Sequence, residues 1–143
     1  MLIIRPAKIN DAVEVCQIIK LETNKDFSVS KLEEILLSNP SSIAEIDGKI
    51  AGFCYTSKFA PDILEILNII VRSEHRNIGI GEKLIKHVED KSKSIYNSII
   101  LVNSMLYETV KPKKSAERFY CKLGYSAIHR TKNTIIFIKT IGV

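Results

Sequence analysis

No stretch of this sequence stays apolar for the roughly 20 residues that a helix needs to cross a bilayer. Its opening, MLIIRPAKIND, has neither the apolar core nor the small-residue cleavage site of a secretory signal, so a cytoplasmic protein without membrane contact is expected. Cysteine is scarce. Cys16, Cys54 and Cys121 are scattered, odd in number and form no CxxC pair, which argues against a disulfide framework or a zinc site and for buried free thiols. The three histidines, His75, His87 and His129, fall in different segments without metal-ligand spacing, so no metal is expected. There is no internal repeat, low-complexity tract or interdomain linker, and residues 1–143 read as a single domain.

What is present is ordinary for a globular chain: 45% hydrophobic and 26% charged residues, enough in 143 positions to bury a core. The formal net charge of +5 suits phosphorylated cofactors, acidic partners or nucleic acid. The lysines are spread along the chain and no aromatic-and-basic signature accompanies them, so nucleic acid is not the expected partner.

Residues 2–4 predict a first strand. Asn10 reads as a helix N-cap, and Ala12, Val15, Cys16 and Ile19 recur at i, i+3, i+4 and i+7, predicting a helix to about Leu21. A second short helix is predicted over 31–37, ended by Asn39-Pro40. Strands over 42–46 and 49–57 flank Asp47-Gly48, a pair suited to the type I′ turn of a hairpin because both positions need positive φ. A long strand over 62–71, a helix over 82–93 and a strand over 98–103 follow. Residues 104–114 read as a polar loop whose Lys111, Lys113 and Lys114 are solvated, and Ser115 as the cap of a helix stopped by Gly124. A hairpin around Lys132-Asn133 closes the chain. The order β-α-α-β-β-β-α-β-α-β-β predicts an α/β domain with a mixed sheet.

The most informative stretch is residues 71–84, VRSEHRNIGIGEKL. A strand leads into a glycine-bearing loop and then a helix. Such a loop aims backbone N–H groups and the positive end of a helix dipole at an anion, which points to a pyrophosphate-bearing cofactor. A dinucleotide fold of the Rossmann type would need G-x-G-x-x-G after the first strand, and neither spacing nor position fits.

This element order, with Arg76, Gly79 and Gly81 as an R-x-x-G-x-G loop and FYCKLGY at 119–125, resembles the GNAT superfamily of acetyl-CoA-dependent N-acetyltransferases. IIRPAKINDAVEV and IDGKIAGF resemble that family's first strand and helix and its second-to-third strand hairpin. The resemblance implies a mixed seven-stranded sheet flanked by four helices. It also implies acetyl-CoA as co-substrate and direct attack by an amine in a ternary complex, without a covalent enzyme intermediate. The cofactor pyrophosphate would meet Arg76, Asn77, Ile78, Gly79, Ile80, Gly81 and Glu82. The pantetheine arm would pair with the strand edge at Ile69, Ile70 and Val71, and Asn103 would contact the cofactor near the end of the fifth strand.

Tyr120 is implied as the general acid at the thioester sulfur. Glu65, six residues before Val71, is implied as the base; plain strand alternation groups it with Ile63, Leu67 and Ile69, in company that would raise its pKa. The acceptor, a small-molecule amine or a protein N-terminus or lysine, would be set by residues 22–30 and the late hairpin. Cys121 is expected in the core. Family members commonly dimerise, so a homodimer is open to this chain. A non-catalytic acyl-CoA-binding module on the same fold is the alternative reading.

Overall fold

The computed structural model describes residues 1–104 and 116–142. Its strands are β1 (Leu2–Pro6), β2 (Ser42–Ile46), β3 (Lys49–Ala60), β4 (Ile63–Val71), β5 (Ser98–Ser104), β6 (Ser126–Arg130) and β7 (Thr134–Thr140). Its α-helices are α1 (Ala12–Thr23), α2 (Val29–Ser38), α3 (Ile80–Ser92) and α4 (Ala116–Lys122). The strands form one seven-stranded sheet in the order β1-β2-β3-β4-β5-β7-β6, antiparallel throughout except for the parallel pair β4 and β5. The mixed α/β sheet and the element order are those expected. The expected loop lysines Lys111, Lys113 and Lys114, and the cap at Ser115, lie outside the described residues. Among the described residues, no helix is long and apolar enough to cross a membrane.

Alternate side chains of the central strands feed two cores. Ala44, Cys54, Leu64 and Ile66 pack under α3 and α4 with Leu84, Ile85, Val88 and Tyr120. Ile43, Ile50, Phe53 and Tyr55 pack on the other face under α1 and α2, against Val15, Ile18, Leu32 and Leu36. The sheet is therefore sandwiched, and each helix buries one apolar stripe.

Local chemistry explains most boundaries. Asp47 and Gly48 take φ of 51° and 79°, the left-handed pair that the β2–β3 turn demands. Ser28 caps α2 by accepting the Lys31 N–H at 3.3 Å. The start of α1 differs from the expectation at Asn10. A 3₁₀ turn over Ile9–Asp11 comes first and Asp11 stands at the N-cap. Its carboxylate accepts the Lys8 amide at 2.7 Å and both Arg5 terminal nitrogens at 2.9 Å. Arg5 Nε also reaches Glu45 at 3.0 Å. A short polar side chain free to cap is what Asn10 offered; a bidentate ion pair to β1 is what selected Asp11 instead. Of the thiols, Cys54 is buried, which pushes its pKa up to about 12, Cys16 is half-buried, and Cys121 is exposed rather than in the core.

Burial alone would raise the Asp11 pKa, but the hydrogen bonds from Arg5 and Lys8 outweigh it and hold the carboxyl below its usual value. A carboxylate with a depressed folded-state pKa contributes stability above its unfolded pKa and loses it as pH falls through the folded one. Replacing Asp11 by Ala leaves Arg5 partly buried without its main partner and should cost about 3 kcal/mol at neutral pH. Urea titrations should show that deficit shrinking as pH falls below the ordinary carboxylate range, where the wild-type pair itself weakens.

Candidate active site

One extra residue in β4 shapes the centre of the sheet. The β3 register runs Cys54 to Ile69 and Tyr55 to Asn68, then Thr56 to Ile66, so Leu67 is a bulge without a partner. The inserted residue flips the side-chain parity of the strand. Leu64 and Ile66, then Ile69 and Val71, face α3, while Ile70 joins the α1 and α2 side. Glu65 therefore shares its face with Ile63 and Ile70, and Ile69 is on the opposite face. The grouping expected from plain alternation is corrected by the bulge.

The bulge also ends the pairing of β4 with β5. Residues 63–66 pair with 98–101, and beyond them the register stops while β5 continues along β7 to Ser104. The two strands diverge into a wedge. Arg72 donates its N–H to Ala51 of β3 at 2.8 Å. Amides alternate along a strand, so Ile70 also turns toward β3, while Ile69 and Val71 turn their N–H groups into the wedge. On that outward side the Val71 carbonyl accepts Arg76 Nε at 3.0 Å.

The wedge opens onto the start of α3. A 3₁₀ turn over Ser73–His75 leads to Asn77 and Gly79, both left-handed with φ of 67° and 84°. Gly79 is the N-cap of α3 and has no side chain to cap it. The first-turn amides of Ile80, Gly81 and Glu82 are thus left for an outside acceptor, at the positive end of the helix dipole. The Glu82 carboxylate would repel an anion there, so only its backbone suits one. A Cβ built on Gly81 would lie 3.2 Å from Phe119 Cζ and 4.0 Å from Ile69 Cδ1. Gly81 therefore lets the helix start, the β4 edge and α4 converge.

The Arg76 guanidinium is engaged within the protein. Besides the Val71 carbonyl, it donates to Glu22 of α1 at 2.8 Å. Glu22 was not singled out by sequence reasoning, because 54 residues separate the pair and no periodicity connects them.

Tyr120 is 5% exposed and sits in an aromatic cluster, with ring centroids 5.1 Å from Phe119, 6.1 Å from Tyr125 and 5.3 Å from Phe137. The FYCKLGY segment has a local cause. Gly124, at φ 95°, donates to the Cys121 carbonyl, and Tyr125 donates to the Tyr120 carbonyl at 3.0 Å. This is a Schellman motif, and the Tyr120–Tyr125 ring contact is its usual apolar clasp. Tyr125 Oη donates to Glu89 of α3 at 2.9 Å, and Lys139 of β7 donates to Glu89 at 3.0 Å and to the Leu123 carbonyl at 2.8 Å. Burial and the Glu89 charge push the Tyr125 pKa up strongly, so it stays a donor. This network fixes α4 against α3 and the sheet. Asn103 alternates with Ile99 and Leu101, which places it on the Tyr120 face.

On the other face, Glu65 is half-buried and burial raises its pKa. Ser57 and Ile100 are its cross-strand neighbours. Nearby in β4, Asn68 Nδ2 donates to Tyr55 Oη at 3.3 Å, and Phe27 rests on the Tyr55 ring at 6.2 Å. Tyr55 and Asn68 carry no sequence signature, since the turn of parity at Leu67 is what places them beside this face.

Comparison with known proteins gives the class. The acetyltransferase (GNAT) domain family matches residues 38–127, and this chain belongs to that family of N-acetyltransferases. The chain is 32% identical over 83 residues to an uncharacterized N-acetyltransferase of Methanocaldococcus jannaschii, a match covering 58% of this chain and half of that protein. It is 25% identical over 135 residues to a 5-NmdU N-acetyltransferase of Pseudomonas phage PaMx11, covering 88% of both. The fold is similar to that of an aminoglycoside 6′-N-acetyltransferase complexed with coenzyme A, with a TM-score of 0.83, 21% identity and 97% of each chain covered.

Gly52 tests the geometry of the wedge. A Cβ there would lie 2.9 Å from the Ile70 carbonyl oxygen and 3.3 Å from Val71 Cα, both backbone atoms that cannot swing aside. Gly52→Ala should force β4 off β3 and cost about 1–3 kcal/mol in urea unfolding. Gly81→Ala meets only the Phe119 ring on its tight side and should be the less destabilising of the two.

Proposed function

We propose that this protein moves an acetyl group from acetyl-CoA to a primary amine, by direct attack in a ternary complex within a single domain, and that it works in the cytoplasm. The observation that carries this reading is the wedge: outward amides at Ile69 and Val71 run into a helix start whose N-cap, Gly79, has no side chain to cap it. An extended amide-bearing arm would pair with the first, and a pyrophosphate would accept from the second. The close approach at Gly81 suits such an occupant. Asn77, Ile78, Gly79, Ile80, Gly81 and Glu82 would hold the phosphates through backbone, with Arg76 bracing the loop. Ile70, whose amide turns into β3, would space the two contacting residues. Asn103 would meet the cofactor from β5.

In the reaction the amine must lose a proton, attack the acyl carbon and expel a thiolate that regains one. Glu65 would accept the ammonium proton, directly or through water, since its raised pKa makes it a better base than an exposed carboxylate. The C–N bond forms as the C–S bond breaks, the Ile69 N–H would polarise the thioester carbonyl, and Tyr120 would protonate the departing sulfur. Solved structures similar in fold include the aminoglycoside 6′-N-acetyltransferase above and, at 18% identity and a TM-score of 0.80, a ribosomal-protein-S18-alanine N-acetyltransferase of Escherichia coli. The acceptor we propose is a primary amine, with small molecules, protein N-termini and lysines all open.

A second reading, a non-catalytic acyl-CoA-binding module, is favoured by one observation: Tyr120 is packed among three rings as a core residue would be. Thiol release from acetyl-CoA, measured with a panel of amines and N-terminal peptides, separates the two. Amine-dependent release that falls roughly tenfold or more in Tyr120→Phe is expected. Acetyl-CoA binding without release on any amine would favour the module, and failure to bind acetyl-CoA would sink both.

Glu65 gives a pH test. The wild-type rate should rise with pH through the raised Glu65 pKa, and Glu65→Gln should be slow and flat over that range. Because a raised folded-state pKa means that ionisation opposes folding, any stability this site contributes is present below the unfolded carboxylate pKa and lost as pH climbs past the folded one. Glu65→Gln should then be at least as stable as wild type at neutral pH in thermal melts.

A further inference from the structure

Two carboxylates tie the first helix to the rest of the fold, and one of them does so at the wedge. Glu14, Ile18 and Glu22 recur at i, i+4 and i+8, one stripe of α1. Glu14 Oε2 accepts the Ile50 N–H of β3 at 2.9 Å and lies 4.0 Å from Arg72, whose Nε donates to the Ile50 carbonyl at 2.8 Å. Glu22 is different. Its Oε1 accepts Arg76 at 2.8 Å and its Oε2 accepts the Ser73 N–H at 3.3 Å. Its side chain is only 10% exposed, while that of Arg76 is 40% exposed. One carboxylate thus holds both ends of the turn that runs from β4 to the open amides of α3.

Glu22 also stands at the junction between the two faces of the sheet. It lies in the last turn of α1, two residues before Asn24, which ends the helix in the left-handed region at φ 60°. The chain then passes through residues 24–28, where Phe27 packs on Tyr55, and Tyr55 accepts from Asn68 on the face of Glu65. A half-exposed ion pair adds little to fold stability. Three donors converging on one carboxylate, from Arg76, the Ser73 N–H and the Ser73 hydroxyl at 3.5 Å, do fix where a loop sits.

We propose that Glu22 is a positioning residue that sets the anion-binding loop through Arg76 and Ser73 and passes occupancy of that loop to residues 24–28, beside the Glu65 face. This rests on the reading of the wedge as the acyl-CoA site. An occupant that orders residues 76–81 holds Arg76, Arg76 holds Glu22, and the helix end then holds the segment that follows it. The coupling is reciprocal: whatever orders residues 24–28 should tighten the hold on the cofactor.

The test compares wild type, Glu22→Gln and Glu14→Gln with coenzyme A as the probe. Glu14 ties the same helix to β3 without touching Arg76, so it reports what loss of helix docking alone does. Affinity is read by calorimetry and amide exchange by mass spectrometry. Coenzyme A should slow exchange at residues 24–28 of wild type. In Glu22→Gln that slowing should vanish and affinity should fall about fivefold or more, while Glu14→Gln keeps both. Equal slowing in Glu22→Gln and wild type, or equal affinity loss in the two variants, would overturn the proposal and leave the acyl-CoA reading standing. A wild-type protein that does not bind coenzyme A would overturn both.

Discussion

The geometry of the candidate site depends on the bulge at Leu67. A ladder that continued in register would zip β4 to β5 along its whole length and leave no opening between them. The inserted residue bends the strand and turns the amides of Ile69 and Val71 outward. Sheet hydrogen bonds are forfeited at the place where they would be most protected. Such groups are costly to bury unpaired, so a fold that keeps them must leave them to water or to a partner of extended form. The same inserted residue sends Ile69 to the α3 face and leaves Glu65 on the α1 face.

Holding the wedge open is the work of side chains on both flanks. On one, Glu89 gathers Tyr125 and Lys139 and locks α4 onto α3. On the other, Glu22 docks the end of α1 against Ser73 and Arg76, while Glu14 ties the same helix to β3 away from the loop. Each is a carboxylate serving donors from two elements. A charge-assisted cluster of this kind fixes orientation better than apolar contact, which tolerates sliding. The apolar cores supply the burial; these three clusters decide where the edges of the sheet stand relative to its helices.

Much of this was legible. Asp47-Gly48 announces its turn because few residues accept two positive φ values, and Gly124 announces a helix end for the same reason. The stripes of α1 and α3 announce their buried faces, and Gly79 and Gly81 place the helix start at the right point in the chain. The bulge was not legible. ILEILNIIV is apolar at nearly every position, so a period of two has nothing to lock onto and an inserted residue leaves no trace. That is why Ile69 was grouped with Glu65. Asp11 was passed over for Asn10 because capping propensity is local, while the Arg5 pair that selects it comes from another strand. Glu22 was invisible for the same reason.

The parity flip also bears on how the proposed chemistry would be arranged. An acid and a base on one face would compete for the same proton and the same water. Here Tyr120 lies in a closed aromatic cluster on one side of the sheet, and Glu65 lies half-buried on the other. The wedge is the point where the sheet is interrupted between them. A thioester held there would present its sulfur toward the dry side and its carbonyl carbon toward the side where an amine arrives. A phenol donates to a thiolate best when water cannot intervene, and a carboxylate must exchange protons with solvent to turn over. The two environments match those opposite needs, and the alternation of Glu65 with Leu64 and Ile66 is what keeps the two residues on opposite faces.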